Sequence, residues 1–202
     1  MPHELPNGAW LRRGWRMMGA MSTTTSGLLT FEEFERLPDE PGKLELLEGE
    51  LIRMPPAKRK HMNNAHRLFR MLDRIVGDLR RGRPELGLGD VYMETGYRMG
   101  SDPGTWLVPD VSITHTGQTG DDYYEGAPLV AIEVASESQS AAHLEAKAEM
   151  YLSRGGREVW LVFPKTRRVW ICRAGASTIE APESAIRSEV LPGVEIRFEE
   201  IF

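Results

Sequence analysis

Two carboxylates stand inside apolar runs, where an acid is costly. In WLVPDVSIT, Asp110 follows Pro109 among Leu107, Val108, Val111 and Ile113; in LVAIEVAS, Glu133 interrupts an otherwise continuous apolar stretch. Such runs read as strands covered on both faces, and a carboxylate there costs several kcal/mol unless a cation or strong donors meet it. Two such acids on neighbouring strands call for a shared positive charge. A divalent metal suits them, because Mg²⁺ takes oxygen ligands at about 2.1 Å and needs only one or two carboxylates from the protein. The plain alternative is a strand-end acid that is exposed to water or paired with an arginine.

Lys147 is the third residue of interest. Between Ser140 and Arg154, Leu144, Ala148, Tyr151 and Leu152 share one helical face, and Lys147 falls on that face. Its stem could snorkel to the helix edge. Aimed instead at the carboxylates, the ammonium would orient or deprotonate an attacking water and offset the charge of a phosphate.

The elements that must position these residues follow from pattern. Thr30 with Glu33 has the spacing of a capping box and starts a short helix, with Phe34 and Leu37 inward. Lys43 to Met54 alternates around Glu48-Gly49 as a hairpin, which puts Glu45 and Leu47 on one face and Leu44 and Leu46 on the other. From His61 to about Arg81, Leu68, Met71, Leu72, Ile75, Val76 and Leu79 recur at helical spacing. Strands are expected at Val91 to Met99, Trp106 to Thr114 and Leu129 to Ala135. The helix Ser140 to Arg154 follows, and then a hairpin from Glu158 to Phe163 and Arg168 to Cys172. The fold class is mixed α/β, a mixed central sheet flanked by helices, forming a single domain over 28–202 after a disordered leader at 1–27.

The chain has 202 residues and a net charge of −5. Its single cysteine, Cys172, excludes an intrachain disulfide, and no stretch approaches the roughly 20 apolar residues of a membrane span, so the cytoplasm is the expected compartment and no membrane partner is expected. The charge is uneven. Ten Lys/Arg against two acids lie between Arg53 and Arg83, so that segment carries +8 and the remainder −13. Arg67, Arg70, Arg74, Arg80 and Arg81 could meet backbone phosphates in a sequence-independent, salt-sensitive way; a merely solvated helix face is the alternative. Trp160 and Trp170 could stack bases, although paired aromatics on a hairpin more often serve the core or a dimer contact.

Pro109-Asp110, Glu133-Val134-Ala135-Ser136, Lys147 and Tyr151, with LELLEGEL upstream and REVWLVFP downstream, resemble the Uma-two family of restriction-endonuclease-like proteins, a branch of the PD-(D/E)XK nuclease superfamily. The resemblance runs from about Leu29 to Cys172. It implies that Asp110 and Glu133 bind Mg²⁺, with Mn²⁺ as a substitute, and that Lys147 attends the water from the helix, in place of the strand position occupied here by Ala135. It also implies that Glu45, matching a glutamate of the family's opening hairpin, completes a catalytic set of Asp110, Glu133, Lys147 and Glu45. His61 matches a histidine that opens the long helix; helix capping or solvent exposure is its expected role. Ser136-Glu137-Ser138 departs from the family's Ser-Pro-Ser turn. The implied function is a metal-dependent endonuclease acting on nucleic acid, DNA above RNA, with a homodimer favoured by the need to cut two antiparallel strands. A nucleic-acid-binding or oligomerisation module that keeps the fold without catalysis is the competing reading.

Overall fold

The computed structural model describes residues 27–136 and 139–202. All but the last residue of the expected leader, and the departure at Glu137-Ser138, lie outside the described residues.

Helix α1 (Phe31–Glu35) is capped as its sequence implies: Thr30 Oγ1 accepts the Glu33 N–H at 3.2 Å, and the Glu33 carboxylate accepts the Thr30 N–H at 2.9 Å. Its buried residue is Phe31, whereas Phe34 and Leu37, expected inside, are only half-buried. A helix of little more than one turn can centre only one side chain. Strands β1 (Lys43–Leu47) and β2 (Glu50–Met54) form the expected hairpin, turning on Glu48 and Gly49 at φ 49° and 83°. Two positive φ values at the turn match the right-handed twist of the flanking strands. Helix α2 (Arg59–Gly82) buries Ala65, Leu68, Leu72 and Val76 along one stripe, and Arg80 and Arg81 in its last turn complement the helix dipole.

The strands expected at 91–99 and 106–114 are each bent in the middle. The first becomes β3 (Leu88–Met93) and β4 (Tyr97–Ser101), and the second becomes β5 (Gly104–Leu107) and β6 (Val111–His115). Antiparallel pairing of β3 with β6 and of β4 with β5 makes the four a single ribbon that leaves one sheet and enters another at residues 94–96 and 108–110. Pro109 has no N–H to donate, and Glu94 adopts φ 48°, so the ladders are interrupted there. Asp110 therefore sits at the corner between sheets and not inside a strand.

The remaining elements are β7 (Tyr124–Glu125), β8 (Val130–Val134), α3 (Ala141–Ser153), β9 (Glu158–Phe163), β10 (Arg168–Arg173), β11 (Ala185–Arg187), β12 (Glu195–Arg197) and α4 (Phe198–Ile201). The mixed α/β class holds, but the central sheet is divided. One sheet has the order β10-β9-β8-β6-β3 and the other β2-β1-β5-β4-β7, with β11-β12 apart. Among the described residues only β8–β9 and β4–β7 are parallel pairs, and the β8–α3–β9 crossover packs α3 on the first sheet.

Strand β8 is buried throughout, and its alternation decides where chemistry can sit. Val130, Ile132 and Val134 face the core under α2, while Ala131 belongs to the second core, which contains Leu144, Ala148 and Tyr151 of α3. Glu133, two residues from Ala131, therefore points toward α3. Helix α3 opens on Ser140, whose Oγ accepts the His143 N–H at 3.2 Å, and the chain leaves it through Gly155 at φ 109°. Trp160 and Trp170 do not form a stacking platform. Trp160 is wholly buried in the α2 core, while Trp170, opposite Leu161 in register, packs on the α3 side against Phe163 at 4.8 Å. Among the described residues no helix is long and apolar enough to cross a membrane.

Candidate active site

Strand β1, the β5–β6 corner, strand β8 and helix α3 bring Glu45, Asp110, Glu133 and Lys147 into one buried cluster. Lys147 is 0% exposed, and its Nζ lies 2.9 Å from Glu45 Oε1 and 2.6 Å from Glu133 Oε1. The stem does not snorkel: the ammonium bridges β1 and β8. Tyr151, one turn along α3, packs in the core and donates its hydroxyl to Glu133 Oε1 at 2.9 Å. Glu45 Oε1 also accepts the Val108 N–H at 3.0 Å, and Asp110 Oδ2 accepts the Val134 N–H at 2.7 Å. Both carboxylates thus satisfy backbone donors near the places where the ribbon bends or β8 ends, which fixes them to the fold.

Two residues that the sequence pattern did not assign to the site complete the cluster. Lys43 Nζ lies 3.4 Å from Asp110 Oδ1 and 3.6 Å from Glu45 Oε1, and His61 Nε2 lies 3.2 Å from the same Asp110 oxygen. The alternation of β1 held the signal for Lys43, since it is two residues from Glu45 and on the same face. His61 neither caps α2 nor faces open solvent, contrary to expectation: the helix begins at Arg59, so His61 is already within its first turn and turned toward the corner that carries Asp110.

Burial alone would raise the Asp110 carboxyl, but the His61 hydrogen bond and the charges of Lys43, His61 and Lys147 outweigh it and hold the group at about 2. Burial dominates at Glu133 and, with Asp110 and Glu45 adding to it against Lys147 and Lys43, pushes that carboxyl up to about 7. The hydrogen bond to Asp110 raises His61. At Lys43 burial opposes the charge, yet Glu45, Asp110, Glu133 and Glu94 raise the ammonium above its ordinary value, so it stays protonated.

These shifts have opposite signs for stability. Asp110, lowered, contributes stability that is present above its unfolded value of 3.8 and lost as pH falls through about 2. Glu133, raised, contributes most below 4.5 and loses that contribution as pH rises through about 7. In EDTA the thermal midpoint is therefore expected to fall between pH 5 and pH 8. Glu133→Gln should flatten that slope in a melting series, and an unchanged slope would show that Glu133 is not the group responsible.

One carboxylate oxygen of the cluster is left without a partner. Glu45 Oε2 is buried with no hydrogen-bond partner, an orphan oxygen that a cation would satisfy. The donors are hard oxygens of the kind that Mg²⁺ and Mn²⁺ take. Among the described residues no group of three His, Cys, Asp or Glu is already gathered to hold a metal, so waters would have to complete its shell. On donor chemistry and the orphan Glu45 oxygen, the residues fit a divalent ion.

Asp110, Lys43 and His61 face a cleft of about 1530 Å³. Six Lys/Arg line it, Lys43, Lys58, Lys60, Arg67, Lys165 and Arg167, against two acids, Glu94 and Asp110. Of the arginines expected to meet phosphate, only Arg67 lines the cleft; Arg70 and Arg74 continue its exposed face along α2 at steps of three and four. Arg81 shares that face but pairs with Asp78, and Arg80 lies on another side of the helix, paired with Asp90 of β3. Lys165 and Arg167, in the β9–β10 turn, form a basic wall that is invisible in the sequence because it is 80 residues or more from the arginine-rich segment. Burial of an acid does not by itself mark a site. Glu158 is as buried as Glu133, yet Trp160 Nε1, Ser188 Oγ, the Glu189 N–H and Arg173 meet both its oxygens, so it serves the fold.

Residues 31–199 match the Uma2 family, described as "Putative restriction endonuclease". The chain belongs to the Uma2 family. It is thereby placed in a nuclease family, and nucleic acid is the substrate class that the family description implies. A solved structure of a DUF820 protein from Anabaena variabilis, described as "a putative nuclease", is similar to it, with a TM-score of 0.70 and 19% identity over 86% of this chain and 97% of that one. At that identity the likeness concerns the fold. No curated protein matches the chain. The Uma2 match covers all four residues of the cluster, together with Lys43 and His61.

Proposed function

We propose that this Uma2 protein is a divalent-metal-dependent endonuclease that hydrolyses phosphodiester bonds of DNA in the cytoplasm. The observation that carries the reading is the meeting of Glu45, Asp110, Glu133 and Lys147, contributed by four separate parts of the chain, behind a cleft whose wall is strongly cationic. Asp110 and Glu133 would hold Mg²⁺, or Mn²⁺ in its place, with Glu45 completing the acidic set. Such an ion supplies Lewis-acid charge at the phosphate and lowers the pKa of a bound water.

The chain's own residues do the rest. Lys147 holds Glu45 and Glu133 at fixed spacing, Tyr151 orients Glu133, and the Val134 N–H ties down Asp110 Oδ2, which leaves Oδ1 on the side of the cleft-lining Lys43 and His61. These constraints set the acids before substrate arrives, which is how a site avoids reorganisation cost during reaction. The cleft cations would hold the sugar-phosphate backbone without reading bases. A homodimer would present two such sites to antiparallel strands.

The substrate is tested with labelled duplex DNA, single-stranded DNA and RNA of one sequence, each with Mg²⁺ or EDTA. Cleavage of DNA that requires Mg²⁺ supports the reading; cleavage of RNA alone, or DNA cleavage that persists in EDTA, contradicts it. Binding to uncleaved duplex should weaken steeply with salt. Lys165→Ala combined with Arg167→Ala is expected to reduce the slope of log affinity against log salt by about two, one for each phosphate that is no longer neutralised. An unchanged slope would remove the β9–β10 turn from the binding surface.

A further inference from the structure

Lys147 does not line the cleft. Its side chain is 0% exposed, and its ammonium is bound to two carboxylates on its own side of the cluster. Asp110 lines the cleft, and the ammonium beside it is that of Lys43. Its side chain is 21% exposed, it lines the cleft, and both of its ion pairs, at 3.4 and 3.6 Å, are longer than either of those made by Lys147. An ammonium has three N–H donors and no acceptor, so loosely held carboxylates leave it capacity for an incoming anion.

We propose that Lys43, with His61 beside it, forms a phosphate-binding subsite on the cleft side of Asp110, and that Lys43 is the ammonium that contacts the phosphate while Lys147 acts as a positioning residue. For the identity of the anion as a nucleic-acid phosphate, the proposal rests on the nuclease reading above. It divides between two lysines the roles that sequence alone assigns to one. Lys147, on α3, sets the acids from behind. Lys43, on β1, meets the substrate from in front. The arrangement follows from the β1 register, in which Lys43 and Glu45 share a face two residues apart and Lys43 is nearer the open end of the strand.

The probe is inorganic phosphate, titrated into the full-length Mg²⁺-loaded protein and followed by calorimetry and ³¹P line broadening. Lys43→Ala should weaken phosphate binding at least about tenfold, the scale of one charge-assisted hydrogen bond, and Lys43→Arg should recover most of it. Mn²⁺ affinity, read by electron paramagnetic resonance, should stay unchanged or tighten in Lys43→Ala, because a cation that competes for Asp110 has been removed. Melting curves verify that each variant is folded. Equal phosphate affinity in wild type and Lys43→Ala, including no measurable binding by either, overturns the proposal, and so does a loss of Mn²⁺ affinity that parallels the loss of phosphate. Plasmid nicking on the same samples separates the two readings. Nicking by Lys43→Ala within threefold of wild type overturns the subsite and leaves the nuclease intact. Lys43-dependent phosphate binding in a wild type that does not nick keeps the subsite and overturns the nuclease.

Discussion

Lys147→Met is expected to lower the unfolding free energy by about 3–5 kcal/mol, the usual cost of removing one partner from a buried ion pair. The methionine fills nearly the same volume, so the loss measures charge and not packing. What remains is Glu45 and Glu133, both fully buried, with their shared cation gone. In a domain of this size that corresponds to a fall of roughly 10 °C in thermal midpoint. The loss should shrink toward pH 5, since Glu133, already pushed up to about 7 with its lysine present, can then take a proton and shed its charge. Adding Glu133→Gln to Lys147→Met should restore part of the stability, because the orphaned carboxylate is replaced by a neutral amide. A Lys147→Met protein that melts like the wild type at pH 8 would mean that the ammonium is not what balances the cluster.

Asp110→Asn should reduce any cleavage by about 10³-fold or more, the scale on which a group that organises charge at the reacting centre acts. The amide keeps an oxygen able to accept the Val134 N–H, so β8 remains anchored, while the negative charge facing Lys43 and His61 is lost. Stability should fall by only about 2 kcal/mol, the value of holding the carboxyl near 2 instead of at its ordinary 3.8. The two substitutions are thus expected to separate: Lys147→Met chiefly unfolds, and Asp110→Asn chiefly inactivates. Equal losses of activity and stability in both would argue that the cluster serves the fold alone.

The acids were legible because alternation within apolar runs is a local signal. Glu133 on β8 and Lys147 on the buried face of α3 are where period two and period 3.6 place them. The bend at Val108–Asp110 was not legible, since Pro109 within an apolar run is compatible with an edge strand as well as a corner. That bend divides the sheet in two and turns Asp110 toward Lys43 and His61. The basic surface was half legible. A run of arginines on one helix can be counted, but Arg80 and Arg81 are occupied by Asp90 and Asp78, and the second wall, Lys165 and Arg167, reaches the cleft only through the tertiary fold. His61 illustrates the same limit: nothing near it in sequence announces the carboxylate it meets, 49 positions away.

The most direct measurement is nicking of supercoiled plasmid by purified wild type and by folded Asp110→Asn and Glu133→Gln proteins, each in Mg²⁺, Mn²⁺ and EDTA. The account predicts relaxation by the wild type in either metal, none in EDTA, and none by the two variants under any condition. Salt-sensitive DNA binding without nicking by metal-loaded wild type, or nicking that survives both substitutions, would contradict it.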